Sequence, residues 1–251
     1  MTCTLIHRIY EKLLALYGQR GWWPVITEAG EHAKGYVPGS YHHPVTKTGR
    51  TEVVVGAILT QNTTWMNVRK ALANLLEKHL IDSKKLLQID KNDLAQIIRS
   101  AGYYNQKAKK LKEVFCFFEQ NHALETGIAP SRQALLELWG VGPETADSIL
   151  LYGFHENQFV IDTYTKRALS RITGISDSVP YAYLKERITA DIPKNTEIYK
   201  EYHALFVELG KHVCTKRKPK CSLCPVSDLC EYYRTETGLS YSPESNTSSP
   251  S

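Results

Sequence analysis

Two glycines separate two segments of helical character in the stretch Leu138-Trp139-Gly140-Val141-Gly142-Pro143-Glu144-Thr145-Ala146-Asp147. Residues 131–138 carry apolar side chains at helical spacing, and Pro143 suits the first position of a second helix. The pattern therefore predicts two helices joined by a glycine hairpin. Because Gly140 and Gly142 lack a Cβ atom, another backbone can approach them, and unpaired N–H groups at the following helix start point outward. Such a turn can bind a phosphate, although a plain helix–helix turn has the same sequence signature.

A second short motif, Val160-Ile161-Asp162-Thr163, follows about twenty residues later. Asp162 is well placed to cap a helix that begins at Thr163. A carboxylate at a helix start is kept ionised and fixed in direction, so it could also stabilise positive charge in a site. The capping role and the functional role are compatible, and both stay open.

Composition and charge limit the kinds of protein that this sequence can encode. The 251 residues, 42% of them hydrophobic, can bury one or two ordinary cores. A formal charge of +5 and a pI near 8.8 are compatible with a polyanionic partner but do not identify one. No apolar run approaches the roughly 20 residues of a membrane span, and the N-terminus lacks the apolar core of a signal peptide. We expect a cytoplasmic protein without membrane contact.

The cysteines are distributed like metal ligands. Four of the six fall within seventeen residues, namely Cys214, Cys221, Cys224 and Cys230. Cys3 and Cys116 stand apart in apolar surroundings. Four thiolates in one segment can hold tetrahedral zinc or a cubane iron–sulfur cluster, and the spacing alone leaves both open.

Apolar periodicity and capping residues predict further helices. Their ranges are 2–17, 51–59, 65–80, one or two short helices within 82–101, 106–119, 163–173, 180–191 and 196–213. The inward side of the first helix is predicted to hold Leu5, Ile9, Leu13, Leu16 and Tyr17. In the basic helix 106–119 the inward residues are predicted to be Phe115, Cys116 and Phe118. Residues 25–50 are predicted to form a long loop with solvated histidines at 32, 42 and 43.

Four blocks of sequence, taken in order, resemble the helix-hairpin-helix (HhH-GPD) DNA glycosylases of the endonuclease III superfamily. The blocks are the hairpin with the Asp162 motif, Leu59-Thr60-Gln61-Asn62-Thr63, Gly102-Tyr103-Tyr104-Asn105-x-Lys107-Ala108 and the cysteine loop. They cover most of the chain from about residue 50 to 232. The resemblance implies an all-α, two-domain fold with the active site in the groove between the domains. Its parts would be a six-helix barrel at 48–156, an iron–sulfur domain built from 1–47 and 157–234, and a disordered tail at 235–251.

The resemblance also implies roles for individual residues. In the resembling enzymes the aspartate at the position of Asp162 is the catalytic carboxylate, and the cysteine spacing matches their [4Fe–4S] loop. DNA contacts are implied for Gln61, Tyr103, Asn105, Lys107, Gly140, Val141, Gly142 and Thr145. Gln61 would enter the base stack where the target base has left, Tyr103 would be a second wedge, and Lys107 would meet phosphates.

At two positions the sequence differs from known branches of the superfamily, and these differences indicate which branch it resembles. Bifunctional members carry a lysine at position 144, whose amine attacks the sugar and leads to strand cleavage, and Glu144 cannot do this. The adenine-mismatch branch has a glutamate acid where this chain has Ala57. The sequence resembles instead the 3-methyladenine glycosylase III branch, through Trp22-Trp23-Pro24, residues 57–63 and Trp65. That resemblance implies a base pocket formed by Trp22, Trp23, Trp65, Glu144 and Lys211. The best-known members of that branch lack the iron–sulfur loop.

These observations predict a monofunctional DNA glycosylase of base excision repair. It would hydrolyse the N-glycosidic bond of a damaged base, an alkylated purine, flipped out of double-stranded DNA, and we expect a nucleoid-associated monomer. Stacked tryptophans suit a cationic alkylated base, since a ring face attracts a cation by about 0.5–2 kcal/mol. One alternative is an endonuclease III-like glycosylase and AP lyase for oxidised pyrimidines. Another is a non-catalytic iron–sulfur protein that binds DNA structures.

Overall fold

Helices account for the regular structure of this protein. The computed structural model describes residues 4–29 and 37–238, and within these ranges no β-strand occurs. The α-helices are α1 (Leu5–Tyr17), α2 (Ile26–Ala29), α3 (Lys47–Leu59), α4 (Trp65–Glu77), α5 (Ser83–Gln88), α6 (Lys91–Ile97), α7 (Tyr104–Asn121), α8 (Ala123–Thr126), α9 (Arg132–Leu136), α10 (Pro143–Ser148), α11 (Thr163–Thr173), α12 (Tyr181–Thr189), α13 (Thr196–His212) and α14 (Glu231–Thr237). A π-helix, Ile149–Gly153, continues α10. The predicted all-α class is confirmed, and none of the described helices has the length and apolar character needed to cross a membrane.

The two ends of the described chain pack together. Helix α1 lies against α13, which in turn packs on α11, and α14 covers α11. The hydroxyl of Tyr202 in α13 donates a hydrogen bond of 2.8 Å to the Ile6 carbonyl of α1, with the Tyr10 ring 5.1 Å away. The buried Glu201 carboxylate accepts hydrogen bonds from the Gly21 N–H and the Tyr41 hydroxyl. This packing suits a domain built from both ends, while the predicted domain limits stay a prediction.

Helix α3 lies at the centre of the middle segment. Ten residues of this helix are buried, namely Gly49 and residues 51–59. It contacts α2, α4, α7, α8, α10 and the π-helix, so all of its faces meet protein. The helix starts at Lys47, four residues earlier than predicted, because the Thr46 hydroxyl caps it by accepting from the Gly49 N–H. Its C-terminal end therefore places Gln61 and the neighbouring polar residues beside the hairpin.

Several predictions about helix faces and ends were wrong. Helix α1 buries Ile6, Ile9 and Leu13, whereas Leu16 is 58% exposed, because the contact with α13 follows a stripe rotated from the predicted one. In α7 the Phe115 and Phe118 rings are buried but Cys116 is exposed. Residues 235–237, placed in the predicted tail, end α14. The predictions for Cys3, His32 and residues 239–251 lie outside the described residues.

Candidate active site

The predicted hairpin is present between α9 and α10. The Ser131 hydroxyl caps α9 by accepting from the Ala134 N–H, and α10 begins at Pro143. Gly140 has φ +80°, and a Cβ atom there would overlap the side chain of Lys110. Gly142 faces open space, which leaves room for a second backbone. The Val141 side chain is buried and its N–H donates to the Leu138 carbonyl at 3.1 Å, while the DNA contact predicted for this residue stays a prediction.

A buried carboxylate ties the hairpin to the segment that carries Asp162. Asp147 of α10 is fully buried and pairs with Arg132 at 2.7 Å and Lys185 at 2.9 Å. The Tyr181 hydroxyl donates to Asp147 at 2.8 Å and accepts from the Ile161 N–H at 3.1 Å. The residue before Asp162 is thereby held against the second hairpin helix.

The hairpin and the start of α11 line one large groove. Its volume is about 1260 Å³, above the roughly 300–1,000 Å³ of an ordinary small-molecule pocket. The predicted site residues in its lining are Trp22, Trp23, Gln61, Trp65, Gly140, Gly142, Glu144, Thr145, Asp162 and Lys211. A flipped nucleotide with its flanking phosphates is the kind of ligand that needs such a space. Tyr103, Asn105, Lys107 and Val141 are not part of this lining.

Asp162 is the N-cap of α11 and faces the groove. Its Oδ1 atom accepts from the Thr165 N–H at 2.7 Å, as the capping prediction requires. Its Oδ2 atom lies 3.7 Å from Nε2 of His203, a buried histidine of α13. Burial alone would raise the pKa of the Asp162 carboxyl, but His203 and the hydrogen bond from the Thr165 N–H lower it below its usual value. The Asp162 carboxyl is therefore ionised at neutral pH.

Glu144 and Lys211 share the groove with Asp162. Burial and the negative charge of Asp162 raise the pKa of the Glu144 carboxyl to about 7, with His203 acting in the opposite sense. Glu144 is surrounded by the atoms of the groove wall but keeps an exposed surface on the groove side, so it can meet a ligand. Partial burial against the groove wall lowers the pKa of the Lys211 amine, which keeps an exposed surface, although Glu208 and Asp162 act to raise it. An acid, an ionised carboxylate and an amine thus line one site.

Three tryptophans form a cluster at the same groove. The ring centroids of Trp22 and Trp65 are 4.7 Å apart, and those of Trp23 and Trp65 are 5.2 Å apart in an edge-to-face arrangement. Trp23 is buried, while Trp22 and Trp65 are half-buried. Gly56 of α3 permits this packing, because a Cβ atom there would lie 2.7 Å from the Trp23 ring. The predicted aromatic residues are therefore brought together, with two of them partly accessible.

Gln61 is held by the hairpin in this structure. Its Nε2 donates to the Gly140 carbonyl at 3.0 Å and to the Thr145 hydroxyl at 2.9 Å. Its Oε1 accepts from the Lys110 Nζ at 2.5 Å. Lys110 also lies across Gly140 and 6.0 Å from the exposed Trp139 ring. The predicted entry of Gln61 into a base stack would require these hydrogen bonds to open.

The second predicted wedge lies at the start of α7. Tyr103 is 66% exposed and has φ +46°, and Asn105 beside it is exposed as well. The prediction that Lys107 meets phosphates is wrong. Its side chain is 2% exposed, and its Nζ donates to the carbonyls of Leu59 and Ala101, where α3 and a short 3₁₀ turn end. Lys107 therefore satisfies helix-end carbonyls and supports the loop that carries Gln61.

The four clustered cysteines surround one cavity. It is lined by Cys214, Cys221, Cys224 and Cys230 together with apolar residues of α11 and α13. Among the described residues no group of three or more His, Cys, Asp or Glu could hold a single metal ion, so these thiols do not meet at one point. Burial and the neighbouring thiols raise the pKa of Cys224 to about 11, so a bound iron centre has to displace its proton. Four thiol donors around a small cavity fit a cubane cluster.

Comparisons with known proteins agree with this arrangement. The family model described as the HhH-GPD superfamily of base excision DNA repair proteins matches residues 55–194, more than half of the chain. The chain belongs to the HhH-GPD superfamily. The model for the iron–sulfur binding domain of endonuclease III matches residues 214–230, the segment that contains the four cysteines, and supports a [4Fe–4S] cluster in this chain. As an HhH-GPD protein, the chain is a DNA glycosylase of DNA repair.

Individual proteins of similar sequence or structure are also DNA repair glycosylases or endonuclease III by name. The chain is 42% identical over 233 residues, covering 90% of it and 96% of the relative, to a Methanocaldococcus jannaschii protein whose provisional name is DNA repair glycosylase MJ1434. A solved non-covalent endonuclease III–DNA complex has the same fold, with a TM-score of 0.74, 19% identity and coverage of 95% and 99%. A 3-methyladenine DNA glycosylase from H. pylori, MagIII, bound to 1,N6-ethenoadenine, gives a TM-score of 0.65 and 25% identity, covering 80% of this chain and 95% of that one.

Several residues in or beside the groove of this HhH-GPD protein were not predicted. They are Asp147, Tyr152 and His203. One signal was available in the sequence, because His203, Val207 and Lys211 follow each other at helical spacing and all three line the groove. Asp147 gave no local signal, since its partners come from segments distant in sequence.

Proposed function

We propose that this HhH-GPD protein is a monofunctional glycosylase that acts as a monomer on double-stranded DNA and releases alkylated purines. One observation carries the proposal. The groove presents the ionised carboxylate of Asp162 together with Glu144, at the position where bifunctional relatives need a nucleophilic amine. The H. pylori glycosylase bound to 1,N6-ethenoadenine, an alkylated adenine, supports the substrate class.

The reaction breaks the bond between C1′ of deoxyribose and the base nitrogen. The electron pair leaves with the base, and the sugar becomes oxocarbenium-like. The ionised Asp162 stabilises this cation electrostatically, because its carboxylate is fixed by the Thr165 N–H and directed into the groove. Water then attacks C1′, its proton passes to Asp162 and on to solvent, and an abasic site with an intact strand remains.

The tryptophan cluster supports recognition of a cationic base. Trp22 and Trp65 are half-buried at the groove and can contact a flipped ring. A methylated purine such as 3-methyladenine carries positive charge before release, and an aromatic face attracts that charge. Neutral pyrimidines would gain less from the same pocket.

A panel of duplexes tests the proposal. Duplexes containing 3-methyladenine, 1,N6-ethenoadenine, thymine glycol or uracil, or adenine opposite 8-oxoguanine, are incubated with the protein and analysed for base release and strand breaks. We expect release of the alkylated purines, with strand breaks only after alkali. Release of oxidised pyrimidines alone would contradict the substrate class, and binding without base release would favour a non-catalytic DNA-binding protein.

A second candidate is an endonuclease III-like glycosylase and AP lyase. Lys211 favours it, because this amine lines the same groove and its pKa is lowered by burial, which increases its nucleophilic fraction. Borohydride trapping on lesion DNA separates the two candidates. The monofunctional proposal predicts no covalent protein–DNA adduct, whereas an adduct in the wild type that is abolished in Lys211→Met would establish the lyase.

A further inference from the structure

A buried histidine faces the proposed catalytic carboxylate. His203 is 6% exposed, and its Nε2 atom points towards Oδ2 of Asp162 at 3.7 Å. Within the described residues Nε2 has no hydrogen-bond partner, although the atom is fully shielded from solvent. A buried polar atom without a partner destabilises the folded state. Core packing alone would favour an apolar side chain at this position.

The other ring nitrogen of His203 is held by a tyrosine. The Tyr152 hydroxyl lies 2.6 Å from Nδ1, and Tyr152 belongs to the π-helix that continues the hairpin. Such π-helical turns often occur at functional sites. If the tyrosine donates to Nδ1, the neutral imidazole carries its proton on Nε2. The opposite tautomer would direct an Nε2 lone pair at the Asp162 carboxylate, which electrostatic repulsion disfavours.

We propose that His203, oriented by Tyr152, is a positioning residue that presents an N–H group to Oδ2 of Asp162. The inference deepens the proposed function, since it rests on Asp162 acting as the catalytic carboxylate. Oδ1 is already fixed by the Thr165 N–H. With Oδ1 hydrogen-bonded and Oδ2 attracted by an N–H group 3.7 Å away, the carboxylate favours one orientation towards the sugar. A displacement of about 1 Å in such geometry can cost roughly 100-fold in rate.

The charged neighbours of Asp162 define the expected pH behaviour. The groups that act on it come from α10 and α13, and they are Glu144, His203 and Lys211. Glu144, whose pKa is raised to about 7, is protonated and uncharged over the pH range in which Asp162 titrates, whereas His203 favours the ionised form of Asp162. Loss of the His203 N–H therefore raises the pKa of Asp162, and the acidic limb of the rate profile moves to higher pH.

The tautomer can be measured without DNA. Nitrogen-15 NMR of imidazole-labelled holoprotein reports which ring nitrogen of His203 carries the proton, and His203→Gln assigns the signal. We expect the Nε2–H form in the wild type and a mixture of tautomers in Tyr152→Phe. A matched control is Tyr199→Phe, which alters a buried tyrosine that does not line the groove. A predominant neutral Nδ1–H form in the wild type would overturn the inference.

Single-turnover kinetics test the consequence for the reaction. Gln keeps an N–H donor close to the position of Nε2, whereas Leu fills similar space without one. We expect His203→Leu to lower the excision rate constant by roughly 100-fold and to shift the acidic limb upward, with DNA affinity unchanged. His203→Gln should recover most of the rate. Equal rates and pH profiles for Leu and Gln would overturn the inference.

The two hypotheses fail in distinguishable ways. The variants are compared on whichever base the wild type releases, so an unexpected substrate contradicts the proposed function and leaves the His203 comparison decisive. If the wild type releases no base, the proposed function fails, and the carbon-13 shift of the Asp162 carboxyl decides the inference. A higher pKa of Asp162 in His203→Leu than in His203→Gln supports it, and equal values contradict it.

Discussion

Two carboxylates in one groove have opposite pKa shifts. The Asp162 pKa is lowered because hydrogen bonds from the α11 backbone and the nearby His203 favour the charged form despite burial. The Glu144 pKa is raised to about 7 because burial and Asp162 disfavour a second charge. At neutral pH the groove therefore holds one fixed negative charge and one carboxyl that exchanges its proton. Environments that separate the pKa values of two acids in this way are common in acid–base sites.

The Glu144 shift predicts a pH dependence that differs between substrates. A neutral departing base, such as 1,N6-ethenoadenine, gains from a protonated carboxyl, whereas a cationic base does not need one. Below a pH of about 7 Glu144 is protonated, and above it the donor is absent. The single-turnover rate on ethenoadenine should fall as pH rises through 7, approaching about tenfold per unit, while 3-methyladenine release changes little. Glu144→Gln keeps an N–H donor at every pH, and a persistent fall in that variant would contradict the assignment.

Replacing Glu144 by lysine should convert the reaction type. The Glu144→Lys amine would share the groove with Asp162 and the sugar, where it can attack C1′ and form a Schiff base. We expect a borohydride-trapped protein–DNA adduct and strand cleavage without alkali. Glu144→Gln is the matched control and should give neither. A wild type that already forms the adduct would refute the role given to position 144.

The hairpin between α9 and α10 depends on its two glycines in different ways. Gly140→Ala places a Cβ atom at φ +80° and against Lys110, so it should destabilise the protein by about 1–3 kcal/mol in denaturant unfolding. Gly142→Ala has φ −92° and open space, so its stability should change by less than about 1 kcal/mol. The added methyl should nevertheless weaken DNA binding. Normal affinity in Gly142→Ala would show that no backbone approaches this face.

The Asp147 network is expected to stabilise the hairpin strongly. Asp147→Asn leaves Arg132 and Lys185 without a buried counter-charge, and removing one partner of such a group costs about 3–5 kcal/mol. We expect a value near the lower end, about 3 kcal/mol, because the Arg132 side chain is 33% exposed. Urea denaturation measures it. Asp228→Asn, which affects an exposed pair with Lys12, is the control and should change stability by less than about 0.5 kcal/mol.

Local sequence signals predicted where helices begin and end better than which segments pack against them. The capping residue Asp162, the helix at 163–173 and Pro143 at a helix start were all predicted, because each depends on a few neighbouring residues. Burial of Lys107 and exposure of Cys116 were not predicted, because they depend on which segments pack on α7. The partners of Asp162 and Asp147 were missed for the same reason, since α10, α11, α12 and α13 meet only in the folded chain.

In the molecule as a whole, the cysteine loop is joined to α11 and to the end of α13. Arg167 and Arg171 of α11 donate to backbone carbonyls at the end of α13 and in the loop. The loop that follows exposes Lys216, Arg217 and Lys218. We expect a bound cluster to hold this loop in place and with it a basic surface suited to phosphates.

Loss of the cluster should weaken DNA binding through that surface. Cys221→Ser removes one ligand, and we expect loss of iron, a lower melting temperature and weaker affinity for DNA. The slope of log K against log salt should become shallower, by about 0.9 for each phosphate that the protein no longer neutralises. Cys116→Ser alters an exposed thiol outside the loop and should leave all three quantities unchanged. An unchanged salt slope in Cys221→Ser would separate the cluster from DNA binding.

The most direct test of the whole account compares the wild type with Asp162→Asn in single-turnover release of an alkylated purine. Asparagine caps a helix as well as aspartate does, so α11 and the fold should be retained. We predict that Asp162→Asn binds the lesion duplex with wild-type affinity but releases the base at least about 100-fold more slowly, and that the wild-type product strand stays intact until alkali is added. Release at the wild-type rate by Asp162→Asn would contradict the account.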